Sequence, residues 1–360
     1  MPDTNANTEK LNKIVEFLTT ELRPSCNWSI QDEYPQVFEE HNIHNLKYIE
    51  KDGQPVTHAA LKPIILKTPQ ILYKIGAIGS VVTNPHYRGQ GLSSRVIRQC
   101  LDEAKNQDCD IAILWTNLHD FYRRLGFELA GFEEYFQIEA PLPNASEGLK
   151  FLNSTQVDPN AIVKLFNRHT ITSVRSADDI KKYLTIPNTQ LYTAWDTENN
   201  IKAYAVIGKG ADLEGFAHEW GGNISDLFAL LNYILHDRKK SFTLLTGAQS
   251  INLITQLQRS KIVGQQGFLG MVKVLNWEKF SKKIEKLSIQ VGIRQFSINP
   301  IENGKFFVSI NTNEILLNDE AQMVQFLFGP SPKIQAKAEV QQTILKLFPL
   351  PLWIWGWDSI

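Results

Sequence analysis

Two stretches of the chain run through the same succession of elements, and this repetition constrains the fold more than any other feature. In the first, Leu46–Glu50 and the apolar run Pro55–Leu66 flank Lys51-Asp52-Gly53-Gln54. That reads as a hairpin, because Asp-Gly reaches the backbone angles of a tight turn. There follow a strand over Ile71–Thr83, a helix over Gly91–Asn106, a short buried strand over Ile111–Thr116, a short helix over Asp120–Leu125, and one or two strands over Phe127–Ala140. The polar, Pro- and Gly-bearing segment Pro141–Gly148 reads as a linker. Beyond it a helix over Ala161–His169 precedes a second hairpin, Leu191–Trp195 and Ile201–Ile207 about the turn Asp196–Asn200. Then come a helix over Ile224–His236, a strand over Phe242–Leu245, a helix over Ile251–Gln258 and a strand over Phe268–Leu275. The likeness lies in element order and predicts a tandem duplication of one α/β module.

From Trp277 the register changes. Phe296–Ile298 and Lys305–Ile310 flank Asn303-Gly304, a hairpin signal, and a helix over Glu320–Phe328 stops at Gly329-Pro330. The expected division is therefore 1–140, 149–276 and 277–360. Ahead of the first hairpin, residues 8–20 read as a helix with Leu11, Ile14, Val15 and Leu18 on one face, and residues 21–44 as irregular chain carrying Trp28, Tyr34 and Phe38. The final residues, LKLFPLPLWIWGWDSI, are apolar and aromatic. Exposing Trp353, Trp355 and Trp357 would forgo ~1.5–3 kcal/mol each, so the tail is expected to dock.

Of the 360 residues, 43% are apolar and 21% charged, with a formal charge of −1. Such a chain can build large cores and has no electrostatic case for nucleic acid or anionic membrane. No stretch approaches the ~18 apolar residues of a membrane span. Cys26, Cys100 and Cys109 show no metal-ligand spacing, and the N-terminus has no apolar signal core, which together suggest a cytoplasmic protein without a metal.

The segment that carries chemistry is Val81-Val82-Thr83-Asn84-Pro85-His86-Tyr87-Arg88-Gly89-Gln90-Gly91-Leu92-Ser93-Ser94. A strand runs into a glycine-rich turn that opens a helix. The first turn of a helix has unpaired N–H groups and partial positive charge, and glycines let a phosphate approach the backbone. Gly89, Gln90, Gly91, Leu92, Ser93 and Ser94 can therefore cradle a pyrophosphate. Taken alone, the pattern also suits an ordinary strand–turn–helix junction. Gly76 and Gly79, upstream in the same strand, mark a bulge or a close backbone approach.

Arg88-Gly89-Gln90-Gly91-Leu92-Ser93 resembles the Arg/Gln-x-x-Gly-x-Gly/Ala cofactor motif of the Gcn5-related N-acetyltransferase (GNAT) superfamily, with Ser93 in place of the final Gly/Ala. Tyr122-Arg123-Arg124-Leu125-Gly126-Phe127 resembles that superfamily's second hallmark, Tyr-x-x-Leu-Gly-Phe. The resemblance covers about residues 8–140. It implies an α+β fold on a mixed sheet whose two central parallel strands splay to admit the acetyl-pantetheine arm of acetyl-CoA. It further implies that Val81, Val82 and Thr83 offer main-chain groups, that Arg88–Ser94 hold the pyrophosphate, that Asn117 contacts the cofactor, and that Tyr122 sits beside the thioester sulfur. The whole chain looks like the enhanced-intracellular-survival (Eis) group: an active module, a degenerate second one reading Glu219-Trp220-Gly221-Gly222-Asn223-Ile224 at the cofactor position, and a small sterol-carrier-like C-terminal lobe. In that group the chain terminus reaches the first active site.

The implied activity is acetyl transfer to a small-molecule or peptide amine by direct attack on the thioester, with self-association open. An alkyl ammonium has a pKa of about 10, so a base or water relay is needed. Lys74–Ser80, the strand before the cofactor loop, has no carboxylate. Ile360, through a terminal carboxylate, is the first candidate base, with Asp358 its rival and a purely structural plug the alternative. Tyr122 is the candidate acid, and a backbone N–H near Val82 the oxyanion donor. Asp120 reads as an N-cap, His119, Arg123 and Arg124 as surface residues, and His218-Glu219 as locally bonded. A non-catalytic acyl-CoA binding protein and a protein-lysine acetyltransferase remain the alternative readings.

Overall fold

Both hairpins form, and each seeds a seven-stranded sheet. The computed structural model describes residues 4–330 and 338–360. The first segment contributes α1 (Thr4–Leu22), α2 (Ile30–Glu33), β1 (Leu46–Lys51), β2 (Gln54–Lys67), β3 (Leu72–Thr83), α3 (Leu92–Asn106), β4 (Ile111–Leu114), α4 (His119–Arg123), β5 (Glu128–Ala130) and β6 (Glu133–Ile138). The second contributes β7 (Lys150–Asn153), α5 (Pro159–Phe166), β8 (Thr172–Ser173), α6 (Ala177–Tyr183), β9 (Gln190–Trp195), β10 (Ile201–Lys209), β11 (Asp212–Gly222), α7 (Ile224–Arg238), β12 (Phe242–Gly247), α8 (Ile251–Arg259), β13 (Gln265–Gly267) and β14 (Gly270–Val274).

The two sheets trade strands. The first runs β1-β2-β3-β4-β14-β5, with β8 on the far end of β2, and the second runs β13-β6-β12-β11-β10-β9-β7. Met271 of β14 lies between Leu114 and Leu129, and Leu244 of β12 opposite Phe136 of β6. Divisions at residues 140 and 149 thus separate the chain but not the sheets. In each sheet one pair is parallel, β3 with β4 and β11 with β12, and the rest are antiparallel, so both sheets are mixed.

The faces of the first sheet are covered differently. Val96, Ile97, Cys100 and Ala104 of α3 pack on Ala59, Leu61 and Ile78. The close approach needs Gly76, where a Cβ would lie 2.9 Å from Leu61 and 3.1 Å from Ala104. On the other face Leu11, Ile14 and Leu18 of α1 pack with Phe38, Leu46 and Ala60. The helix α1 runs two residues further than expected, and residues 23–44, which include α2, tie it to the second module. Glu33 accepts from Arg23 (2.6 Å), Trp28 (2.8 Å) and the Ala211 N–H (2.6 Å).

The last segment holds α9 (Trp277–Gln290), a three-stranded antiparallel sheet of β15 (Phe296–Pro300), β16 (Phe306–Ile310) and β17 (Asn313–Leu317), α10 (Glu320–Phe328) and α11 (Ala338–Leu345). β15 and β16 pair as expected, but a 3-10 turn over Glu302–Gly304 joins them in place of a two-residue Asn-Gly turn. From α11 the chain returns to the seam between the two sheets, where Trp353, Trp355 and Trp357 are fully buried. Among the described residues no helix is long and apolar enough to cross a membrane.

Candidate active site

The glycine-rich loop leaves β3 at Thr83 and enters α3 at Leu92. Gly89 and Gly91 both have positive φ (77° and 72°), and a Cβ on either would meet nothing within 4 Å. Space therefore lies open where a ligand would approach. Gly91 is the N-cap of α3 and no side chain caps the helix, so its first N–H groups point outward without a partner from the cap. Ser93 does not obstruct this surface. Its hydroxyl turns inward to Thr83 Oγ1 (2.7 Å), which meets Thr57 Oγ1 (2.7 Å), and Thr57 donates to the Val82 carbonyl (2.9 Å). This hydroxyl chain pins the helix start to the strand end. Arg88 Nε donates to the Thr83 carbonyl (3.2 Å), closing the loop. Gln90, Leu92 and Ser94 complete the turn, Gln90 exposed and the other two half-buried.

Behind the loop, β3 and β4 part. Their parallel pairing covers Ile75↔Ile111, Gly76↔Ala112 and Ala77↔Ile113, and ends there. A bulge sharpens the divergence. The register with β2 shifts between Ala60↔Gly79 and His58↔Val82, and Ser80 adopts φ 50°. Past the last pair, Val81, Val82 and Thr83 continue β3, and Trp115-Thr116-Asn117 follow the end of β4. Asn117 and His119 also line a cavity of 340 Å³ that reaches Glu133, Phe268 and Gly270. Tyr122 packs in the α3-side core with Val81 and Leu114, edge-on to Phe121 and Phe127. Burial pushes its phenol up to about 12, and no described residue hydrogen-bonds its hydroxyl.

On the opposite face of β3, Gly79 meets the end of the tail. A Cβ there would lie 2.5 Å from the carbonyl carbon of Ile360 and 2.6 Å from its oxygen. Ile360 packs against the buried cluster that includes Phe38, Leu46 and Ala60. Beside it on β2 is His58, which the sequence reading did not single out. Its Nδ1 lies 3.0 Å from the Ser80 carbonyl, its Nε2 is buried without a partner, and burial lowers its pKa to about 4, so the ring is neutral at pH 7. A polar residue inside the apolar run Val56–Leu66 was the available signal.

Residues 7–130 match the family described as the acetyltransferase (GNAT) domain. These residues are a GNAT domain. No curated protein matches the chain significantly. In fold, it is similar to a probable N-acyltransferase from Enterococcus faecalis (15% identity, 94% of each chain, TM-score 0.66). It is also similar to a GCN5-related N-acetyltransferase from Anabaena variabilis (15%, 94% of this chain and 95% of that one, TM-score 0.65). Eis1 from Mycobacterium abscessus is a further likeness (12%, 87% and 89%, TM-score 0.57). At these identities the likeness concerns the fold.

Several sequence expectations change around the GNAT domain. The N-cap of α4 is Leu118, so Asp120 lies inside the first turn, paired with Arg123 (3.0 Å). Arg123 is also held by Glu128 (3.0 Å). Glu219 is not merely locally bonded. It is buried in an ion pair with Arg175 (2.7 Å), which on its other side holds Asp358 (2.7 Å). Asp358 also accepts from Ser173 (2.5 Å) and Tyr183 (3.0 Å). Burial would raise its pKa, but Arg175, Lys62 and Ser173 outweigh this and hold it at about 2. A carboxylate with its lone pairs so engaged is a poor base.

Proposed function

We propose that the chain is an acetyl-CoA-dependent N-acetyltransferase of the cytoplasm, acting on a primary amine of a small molecule or peptide. The observation that carries this reading is the uncapped N-terminus of α3, set behind two left-handed glycines at the mouth of splayed strands. That arrangement fits a pyrophosphate at the loop and a narrow arm in the crevice. Acetyl-CoA, when bound, supplies the acetyl group as an activated thioester. Main-chain donors of Gly89–Ser94 hold the pyrophosphate, while Val81, Thr83 and Asn117 orient the arm. A main-chain N–H near Val82 stabilises the oxyanion.

Tyr122 remains protonated well above neutral pH and donates to the departing sulfur. Ile360, seated on Gly79, brings a carboxylate to a strand that has none of its own and takes the ammonium proton directly or through water. The engagement of Asp358 supports this choice over its rival. The test is thiol release from acetyl-CoA with a panel of amines, aminoglycosides and peptides, repeated on a protein with a short polar extension after Ile360. Turnover with at least one acceptor is expected, as is a strong loss of rate in the extended protein at near-unchanged melting temperature. Full activity of the extended protein removes Ile360 from the mechanism. Tight acetyl-CoA binding without thiol release for any acceptor replaces the enzyme with an acyl-CoA binding protein.

A further inference from the structure

The tail could have been held by tryptophans alone, yet it crosses a buried charged network. Lys209, at the end of β10, donates from Nζ to the Gly356 carbonyl (2.9 Å) and the Ser359 carbonyl (2.5 Å). Arg175 grips the Asp358 carboxylate between them and is itself braced by Glu219, whose Oε1 accepts from Tyr204 (3.2 Å). Lys62 of β2 donates to the Asp358 carbonyl (3.3 Å). Lys209, Arg175 and Glu219 all come from the second module. The packed indoles seat the tail, and Trp355 Nε1 also donates to the Ile171 carbonyl (2.9 Å). Directional hydrogen bonds to the carbonyls of residues 356, 358 and 359 and to one carboxylate fix which residue lies over Gly79. Buried ion pairs cost desolvation and add little stability over an apolar substitute, so a gain in position is the physical reason to look for.

We propose that Lys209 and Arg175 are positioning residues of the first module's active site, and that the second module, which lacks a cofactor loop, works as the clamp that seats Ile360 on Gly79. The proposal rests on the reading of Ile360 as the base.

The experiment uses the full chain. Lys209→Met keeps side-chain bulk and removes the donor. The expected kcat falls on the order of 10²-fold, the scale of an ångström-sized misplacement. KM for acetyl-CoA stays unchanged, because the cradle lies on another element. Amide hydrogen exchange in the peptide covering residues 353–360 is expected to speed up at the same time. Arg175→Lys keeps the charge between Asp358 and Glu219 but gives up the fork, and is expected to show a smaller loss in the same sense. It also serves if the methionine variant does not fold. A wild-type kcat in either folded variant overturns the clamp, and so does a lost kcat with the tail exchanging as in the wild type. The two readings fail differently. If the clamp alone is wrong, the extension after Ile360 cuts the rate and Lys209→Met does not. If the base is wrong, the extended protein is active and Lys209→Met frees the tail without loss of rate, which also overturns the proposal.

Discussion

The same strand–helix junction occurs twice in this chain, once at β3–α3 and once at β11–α7, and the two differ in three concrete ways. Between β3 and α3 the chain makes a loop, Asn84–Gly91, and arrives at an uncapped helix. Between β11 and α7 only Asn223 intervenes, and its side chain accepts from Asp226 N–H, using up a donor that a phosphate would need. In the first sheet the parallel pairing ends at Ala77↔Ile113. In the second, pairing ends at Ala217↔Leu244, and the indole of Trp220 spans the gap to donate to the Leu245 carbonyl (3.3 Å). Trp220 is in turn packed by His169 and Trp355, ring centroids 4.7 and 5.5 Å away. The second junction thus differs from the first by a shorter loop, a capped helix and an indole across the gap, while both sheets keep one parallel pair.

Each difference can be tested, beginning with the largest expected effect. Gly91→Glu puts a charged side chain at a left-handed position in the open cradle. Calorimetry is expected to show one acetyl-CoA site in the wild type and none in the variant; two wild-type sites would mean that the second junction still binds. Tyr122→Phe removes one hydroxyl from the first crevice, and turnover is expected to fall by roughly 10²–10⁴ with cofactor affinity little changed. Steady-state kinetics at wild-type rate would make this tyrosine a packing residue. Trp220→Ala empties the second crevice and is expected to cost about 3–5 kcal/mol of stability by denaturant unfolding. It is expected not to create a second cofactor site, because the cap and the missing loop remain. Asn223→Ala removes that cap and is expected to cost about 1 kcal/mol. A comparable loss from a conservative change at the uncapped start of α3 would contradict the asymmetry.

Much of the candidate site could be read locally. The left-handed turns at Gly89 and Gly91, and the bulge or close approach at Gly76 and Gly79, follow from what glycine alone permits, and the structure shows both a bulge and close approaches along β3. Tail burial follows from the cost of exposing tryptophans. The clamp could not be read this way. Arg175 lies in Thr172-Ser173-Val174-Arg175-Ser176, which carries no periodicity, and its partners Glu219 and Asp358 are distant in sequence. The tail's register, and with it the engagement of Asp358, depends on contacts that no local pattern encodes. The helices α6 and α9 were also missed; α6 starts at a Ser176–Asp179 capping box that was legible but not used.

The exchange of β6 and β14 has a consequence for the chain as an object that must assemble. Two separate copies of one module trading a strand would form a swapped dimer, whose integrity falls as it is diluted. Here the segment around Pro141–Gly148 joins the halves, so each sheet is completed by an intramolecular encounter at a fixed effective concentration. A shortened protein that dropped the second half would lose β14 from between β4 and β5 and bare two strand edges, the usual invitation to aggregation. The second half therefore cannot be shed: it supplies a middle strand of the sheet from which the glycine-rich loop springs.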